Sequence, residues 1–190
     1  MRIINREEFE LGKEEFFEKI LKGAVFIYPT DTIYGLGCSA KLYNAVKKIR
    51  EIKQRYTMPF SVIVPSKKWI MENCFVDEKA KEWLKKLPGP YTLILKLKNK
   101  ECIAPNTNTD LNTLGIRIPN HWFSNYVQEL GVPIVTTSAN VTGGDFMTSL
   151  EDLDLKIKEN VDFIVYEGEI KGKPSTIVDL TKGKEEIIRK

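Results

Sequence analysis

The chain has 190 residues, 42% of them hydrophobic, which suits one domain over residues 1–190 with enough length to bury a continuous core. Its 29 basic and 26 acidic side chains leave a net charge of only +3, too mild to demand nucleic acid as the main partner, although a local basic patch can still meet phosphates. No run approaches the length of a bilayer span and the first residues carry no apolar signal core, so a soluble cytoplasmic protein without a membrane partner is expected. Cys38, Cys74 and Cys102 are odd in number, widely scattered and without metal-ligand spacing, which fits a reducing compartment better than a disulfide framework.

In chain order, Arg2 to Ile4 reads as a short edge strand, and Gly12 to Lys22, with Phe16, Phe17, Ile20 and Leu21 at helical spacing, reads as a helix closed by Gly23. Ala24 to Tyr28 is an apolar strand ended by Pro29. Thr30, Asp31 and Thr32 favour turns and are expected to lie exposed at its carboxyl end, with Gly35 and Gly37 letting the backbone approach a ligand. A helix follows, with Ala45, Val46, Ile49 and Ile52 inward and Lys47, Lys48, Arg50 and Glu51 outward. Phe60 to Val64, Tyr91 to Leu97, Leu114 to Ile118, Val132 to Val135, Phe163 to Tyr166, Thr176 to Leu180 and Glu186 to Arg189 read as strands. Trp69 to Cys74, Lys79 to Leu87, Trp122 to Leu130 and Leu150 to Ile157 read as helices. Strands and helices mix without strict alternation, so a single-domain α/β fold with a twisted mixed sheet flanked by helices is expected.

Two nucleotide motifs nearly match. Gly35, Gly37 and Ala40 satisfy Gly-x-Gly-x-x-Ala, but the polar Thr-Asp-Thr segment separates them from the strand they should follow directly. Gly168, Gly172 and Lys173 resemble a P-loop, but the glycines are too close and Pro174 stands where a helix should begin. Three polar clusters at the ends of apolar elements are more informative: Thr30 to Thr32, Lys53 with Arg55, and Thr136 to Asn140. Cationic side chains beside neutral hydroxyl and amide groups can hold a nucleotide without a P-loop. Taken singly, each has a plainer reading. Lys53 and Arg55 complement a helix dipole, Thr136 to Asn140 form a turn, and Arg117 is either a structural ion pair or faces a site. His121 is a cap or surface residue, and Trp122, Phe123 and Tyr126 belong to the core.

Together the motifs are specific. Pro29-Thr-Asp-Thr-Ile-Tyr-Gly-Leu-Gly37, Lys53-x-Arg55 with Pro59, Pro88-Gly-Pro-Tyr-Thr92, Gly115-Ile-Arg-Ile-Pro119, Ser138-Ala-Asn140 with Gly143, and Ser175-Thr-Ile-Val-Asp179 resemble the YrdC family, in family order and spacing from about Ile4 to Arg189. Its members are threonylcarbamoyl-AMP synthases. The resemblance implies an α/β fold with a large concave groove and an enzyme that joins L-threonine, bicarbonate and ATP into threonylcarbamoyl-adenylate and pyrophosphate, feeding tRNA modification through a threonylcarbamoyl-transferase complex.

By the same resemblance Lys53, Arg55, Ser138 and Asn140 form a catalytic, ATP-binding tetrad, and Thr113 and Arg189 add nucleotide contacts. Thr32, Arg117, Thr136 and Ser175 hold L-threonine. Mg²⁺ is expected to arrive with ATP rather than on dedicated protein ligands. Where many members have Asn before the proline the chain has Met58, and where longer members have His in the next strand it has Ile63. Longer members also carry a further carboxyl-terminal domain, for which this chain has no room. An RNA-binding module, with weak tRNA or double-stranded RNA binding, and a carbamoyl-adenylate transferase of the hydrogenase-maturation type are the alternatives.

Overall fold

The computed structural model describes residues 1–190. After strand β1 (Arg2–Ile4) the chain forms helix α1 (Arg6–Leu11), which apolar periodicity does not reveal. Asn5 starts it: Asn5 Oδ1 accepts from the Glu8 N–H at 2.9 Å and Glu8 Oε2 accepts from the Asn5 N–H at 2.8 Å, a reciprocal cap that satisfies two helix donors. Helix α2 (Lys13–Leu21) buries Phe16 and Ile20, and Gly23, at φ +100°, turns the chain toward β2 (Phe26–Tyr28).

There follow β3 (Gly35–Gly37), α3 (Tyr43–Lys53), β4 (Ser61–Ile63), α4 (Lys67–Asn73), α5 (Glu78–Leu84), β5 (Tyr91–Lys96), β6 (Thr113–Arg117) and α6 (Phe123–Leu130). The chain ends with β7 (Ile134–Ser138), α7 (Leu155–Asn160), β8 (Phe163–Val165), β9 (Thr176–Asp179) and β10 (Glu186–Arg189).

Four expectations are corrected. Gly35 and Gly37 form a strand, and they are small for packing reasons: a Cβ on Gly35 would meet the Tyr28 ring at 2.7 Å, and one on Gly37 would meet Val135 O at 2.4 Å. Thr30 and Thr32 are buried, not exposed. Arg50, expected on the solvent face of α3, is 6% exposed. The helix expected over Leu150 to Ile157 begins only at Leu155, because the Asp152 carboxylate accepts the Thr148 and Ser149 N–H groups in a turn and Asp154 then caps α7.

The strands form one ten-stranded mixed sheet in the order β1-β8-β2-β3-β7-β4-β6-β5-β9-β10. Because side chains alternate across a strand, each strand serves both faces. One face presents Leu36, Val62, Leu93, Ile116, Val135 and Val178 to the apolar sides of α3, α4, α5 and α7, and this is the larger core. The other face presents Phe26, Tyr28, Ile63, Ile134 and Phe163 to α1, α2 and α6, an aromatic core in which Tyr28 stacks on Phe123 at 4.8 Å. Helices cover this second face over only part of its width.

Candidate active site

The uncovered part of the second face is the floor of a cavity of about 320 Å³. Residues pointing up from the strands there are small or polar: Gly35 on β3, Thr136 and Ser138 on β7, Ser61 on β4, and Thr92 on β5. A Cβ on Gly115 of β6 would come within 2.4 Å of Ser61 Oγ, so the floor is tight at this point as well. Arg55, Arg117 and Arg189 reach the cavity from three sides, and no Asp or Glu lines it.

Arg55 follows the end of α3, where Gln54 takes a left-handed turn at φ +53°. Its Nη2 donates to Pro59 O at 2.9 Å and its guanidinium lies over the Phe60 ring at 5.3 Å, while Nε is buried without a partner. Burial first, and then the nearby charge of Arg189, lower its pKa. A desolvated cation with a free donor at a cavity edge is a group that an anionic ligand satisfies.

Lys53 does not reach the lining. Its ammonium is buried and donates to Ser138 O and Asn140 O, both at 2.6 Å, and to Asn140 Oδ1 at 3.1 Å. Burial, and secondarily Arg55, bring its pKa down to about 7. Ser138 Oγ donates to Asn140 Oδ1, Asn140 Nδ2 donates to Gly144 O at 2.6 Å, and Thr142 Oγ1 donates to Lys53 O at 2.8 Å. Of the four residues expected to form a tetrad, Arg55 and Ser138 therefore face the cavity, with Lys53 and Asn140 packed behind Ser138.

Arg117 lies on β6 beside the aromatic core. Its Nη2 donates to Asp31 Oδ1 at 3.0 Å and Thr32 Oγ1 at 3.1 Å, its Nε has no partner, and the Asn120 N–H donates to Asp31 Oδ2 at 2.8 Å. Arg117 is ion-paired to Asp31 and also lines the cavity. Thr32 Oγ1 also lies 3.0 Å from Thr30 Oγ1, whose own proton goes to Ile33 O at 2.6 Å. Thr32 is thus 3% exposed with its hydroxyl engaged, outside the lining.

On the far wall Ser175 Oγ lies 2.7 Å from Thr92 Oγ1, and the Arg189 Nε and Nη2 groups donate to Ser175 O at 3.0 and 2.8 Å. Thr113 stands at the start of β6, on the same face as Arg117 but four residues away, ~13 Å along the strand. It too lies outside the lining. Met58 is exposed and Ile63 is packed in the aromatic core, so neither departure from the expected motif places a polar side chain in the cavity.

His121 is at the start of α6: Nδ1 accepts from the Phe123 N–H at 3.3 Å and Nε2 lies 2.8 Å from Glu167 Oε1. Phe123 is buried in the aromatic core, with Trp122 and Tyr126 half-buried against it. Sequence reasoning missed Ser61, Tyr34 and Phe146 as lining residues. A lone serine in an apolar strand was a usable signal for Ser61; Phe146 had none, because its loop is placed by long-range contacts, the burial of Met147 in the larger core and the Ile170 N–H donating to Thr148 O at 2.9 Å.

The Sua5/YciO/YrdC family model, described as "Telomere recombination", matches residues 18–190. The chain is 36% identical over 185 residues to "Putative threonylcarbamoyl-AMP synthase" of Methanocaldococcus jannaschii, covering 95% of this chain and 86% of that one. It is 32% identical over 179 residues to "Uncharacterized protein YciO" of Escherichia coli, covering 90% and 85%. Among solved structures, P. abyssi Sua5 complexed with L-threonine superposes with a TM-score of 0.84 at 30% identity, over 100% of this chain but only 57% of the Sua5 chain. The matched sequence and the matched fold agree over nearly the whole chain, and it belongs to the Sua5/YciO/YrdC family.

Proposed function

We propose that this chain is a threonylcarbamoyl-AMP synthase, joining L-threonine, bicarbonate and ATP into threonylcarbamoyl-adenylate and pyrophosphate for threonylcarbamoyladenosine modification of tRNA. The observation that carries the reading is a cavity with three arginines, a rim of hydroxyls and no carboxylate. Such a lining suits a polyanion joined to a small polar substrate. The M. jannaschii relative bears the name of this activity, and P. abyssi Sua5 has been solved with L-threonine bound.

In this reading Arg55 and Arg189 face the phosphates, Ser138 lies on the nucleotide side with Lys53 and Asn140 holding it, and Arg117, Thr136 and Ser175 face threonine. Threonine's amine and bicarbonate condense to a carbamate with loss of water. A carbamate oxygen attacks the α-phosphorus, the bond from that phosphorus to the oxygen bridging the α and β phosphates breaks, and pyrophosphate leaves. No protein nucleophile is needed; orientation and positive charge supply the catalysis. In this reading Mg²⁺ would arrive on the triphosphate, and no carboxylate lines the cavity to be assigned to it.

The test is mass-spectrometric product analysis with threonine, bicarbonate and ATP, with carbamoyl phosphate replacing threonine and bicarbonate in a second reaction. Threonylcarbamoyl-adenylate in the first supports the reading; adenylation only in the second replaces it with the carbamoyl-transfer alternative. Arg55→Ala is expected to lower the rate by on the order of a hundredfold in a folded protein, since a charge stabiliser of nucleotidyl transfer is removed.

A further inference from the structure

Arg50 is a buried cation that meets no carboxylate. Its hydrogen-bond partners are all main-chain carbonyls, from two loops that neither helix nor sheet organises. Nε and Nη2 donate to Asn106 O at 2.8 and 2.7 Å, and Nη2 also to Thr107 O at 3.3 Å. Nη1 donates to Arg55 O at 2.8 Å and Met58 O at 3.0 Å, with Tyr56 O farther off at 3.4 Å. Its guanidinium also lies over Phe60 at 4.5 Å, the ring that carries Arg55.

Burying a guanidinium is costly unless its donors are met, and carbonyls turned inward without partners are costly too. Here each defect cures the other. A planar fork with five donors is pre-organised to reach two loops at once, whereas an ammonium has three donors on a flexible stem. The residues so held are those from which Arg55 enters the cavity.

We propose that Arg50 is a positioning residue for Arg55, fixing the main chain of residues 55–58 so that the Arg55 guanidinium is aimed into the cavity before any ligand arrives. Preorganisation of this kind makes anion binding tighter, because the side chain need not be ordered during binding. The proposal rests on the nucleotide reading above for its ligand, but not for its geometry.

The test is a double-substitution cycle on the full chain. ATP and L-threonine affinities are measured by calorimetry for the unsubstituted protein, Arg50→Met, Arg55→Ala and the pair. Arg50→Met is expected to weaken ATP at least tenfold, leave threonine within twofold, and add nothing in the Arg55→Ala background. An equal loss in both backgrounds, or no loss at all, overturns the proposal, because a residue that merely stabilises the fold acts whether or not Arg55 is present.

Should the unsubstituted protein bind no ATP, the nucleotide reading fails and hydrogen exchange decides Arg50 alone. The Arg55 and Phe60 amides, which donate to Arg50 O at 3.0 Å and Thr107 O at 2.9 Å, should then exchange at least tenfold faster in Arg50→Met while β6 and β7 amides stay unchanged. Unchanged exchange at both would overturn it. If Arg50→Met does not fold, Arg50→Lys is put through the same measurements with the same criteria.

Discussion

Arg117 Nη2 lies 3.0 Å from Asp31 Oδ1, with the two side chains 7% and 11% exposed, beside a cavity that no carboxylate lines. The pair joins the loop after β2 to the end of β6, and the Asn120 N–H completes the carboxylate's coordination. One edge of the guanidinium is committed to Asp31 and Thr32, and its Nε is left without a partner. A substrate carboxylate would meet a guanidinium already oriented by its neighbours.

Arg117→Lys is therefore expected to raise the Michaelis constant for threonine tenfold or more while changing that for ATP less than twofold. Lysine keeps the charge but cannot serve Asp31, Thr32 and a substrate carboxylate from one planar fork. Steady-state kinetics with each substrate varied separately decide it; an equal rise in both constants would leave Arg117 a purely structural role.

Asp31→Ala should be destabilising, by about 3 kcal/mol, because it strands a buried cation and leaves the Asn120 N–H without its acceptor. Urea unfolding monitored by fluorescence measures this. Stability within about 0.5 kcal/mol of the unsubstituted protein would mean that water replaces the carboxylate without cost.

Lys53 gives a pH dependence. Its pKa in the folded chain is about 7, below the ordinary lysine value of 10.5, so between these values the unfolded chain holds more protons and this group makes stability rise with pH. A bound triphosphate favours the ammonium and raises the pKa again. ATP binding should thus take up protons at pH 8, and affinity should fall as pH rises from about 7 to 9. Calorimetry in two buffers of different ionisation enthalpy reads the uptake directly, and Lys53→Arg should abolish it. Binding without proton uptake at pH 8 would refute the coupling.

Gly115→Ala should cost about 1 to 3 kcal/mol, since the added methyl would meet Ser61 Oγ at 2.4 Å on the cavity floor. Ser61→Ala in the same chain should recover part of that loss, because the hydroxyl is the nearest obstruction and the Ser61 Cβ lies farther off at 3.1 Å. Thermal unfolding of both single variants and the pair tests this. Simple additivity would show that the strain arises elsewhere.

The sequence by itself determined every strand but β3 and most helices, because apolar residues at a period of two or near four must be buried wherever the chain goes. It also determined the family, because six motifs recur in order. Turn-forming residues are harder to place. Thr30 and Thr32 read as exposed because threonines next to a proline favour turns, yet their hydroxyls bond to each other, to Ile33 O and to Arg117, which arrives from 85 residues away. Gly35 and Gly37 read as a ligand loop because glycine permits close approach; what approaches is the Tyr28 ring and the β7 backbone.

Only the tertiary structure decided which face of the sheet was left uncovered, and hence that Ser61 and Thr92 share a floor with Ser138 while Lys53 stands behind it. Strand patterning shows that a residue alternates inward and outward, but both faces of this sheet carry apolar cores, so alternation cannot tell core from cavity. Arg50 is the sharpest instance. At its helical position a charged residue belongs in solvent, and it is inside because the loop just after its helix and a second loop 56 residues away both turn carbonyls toward it, which a planar guanidinium can meet together.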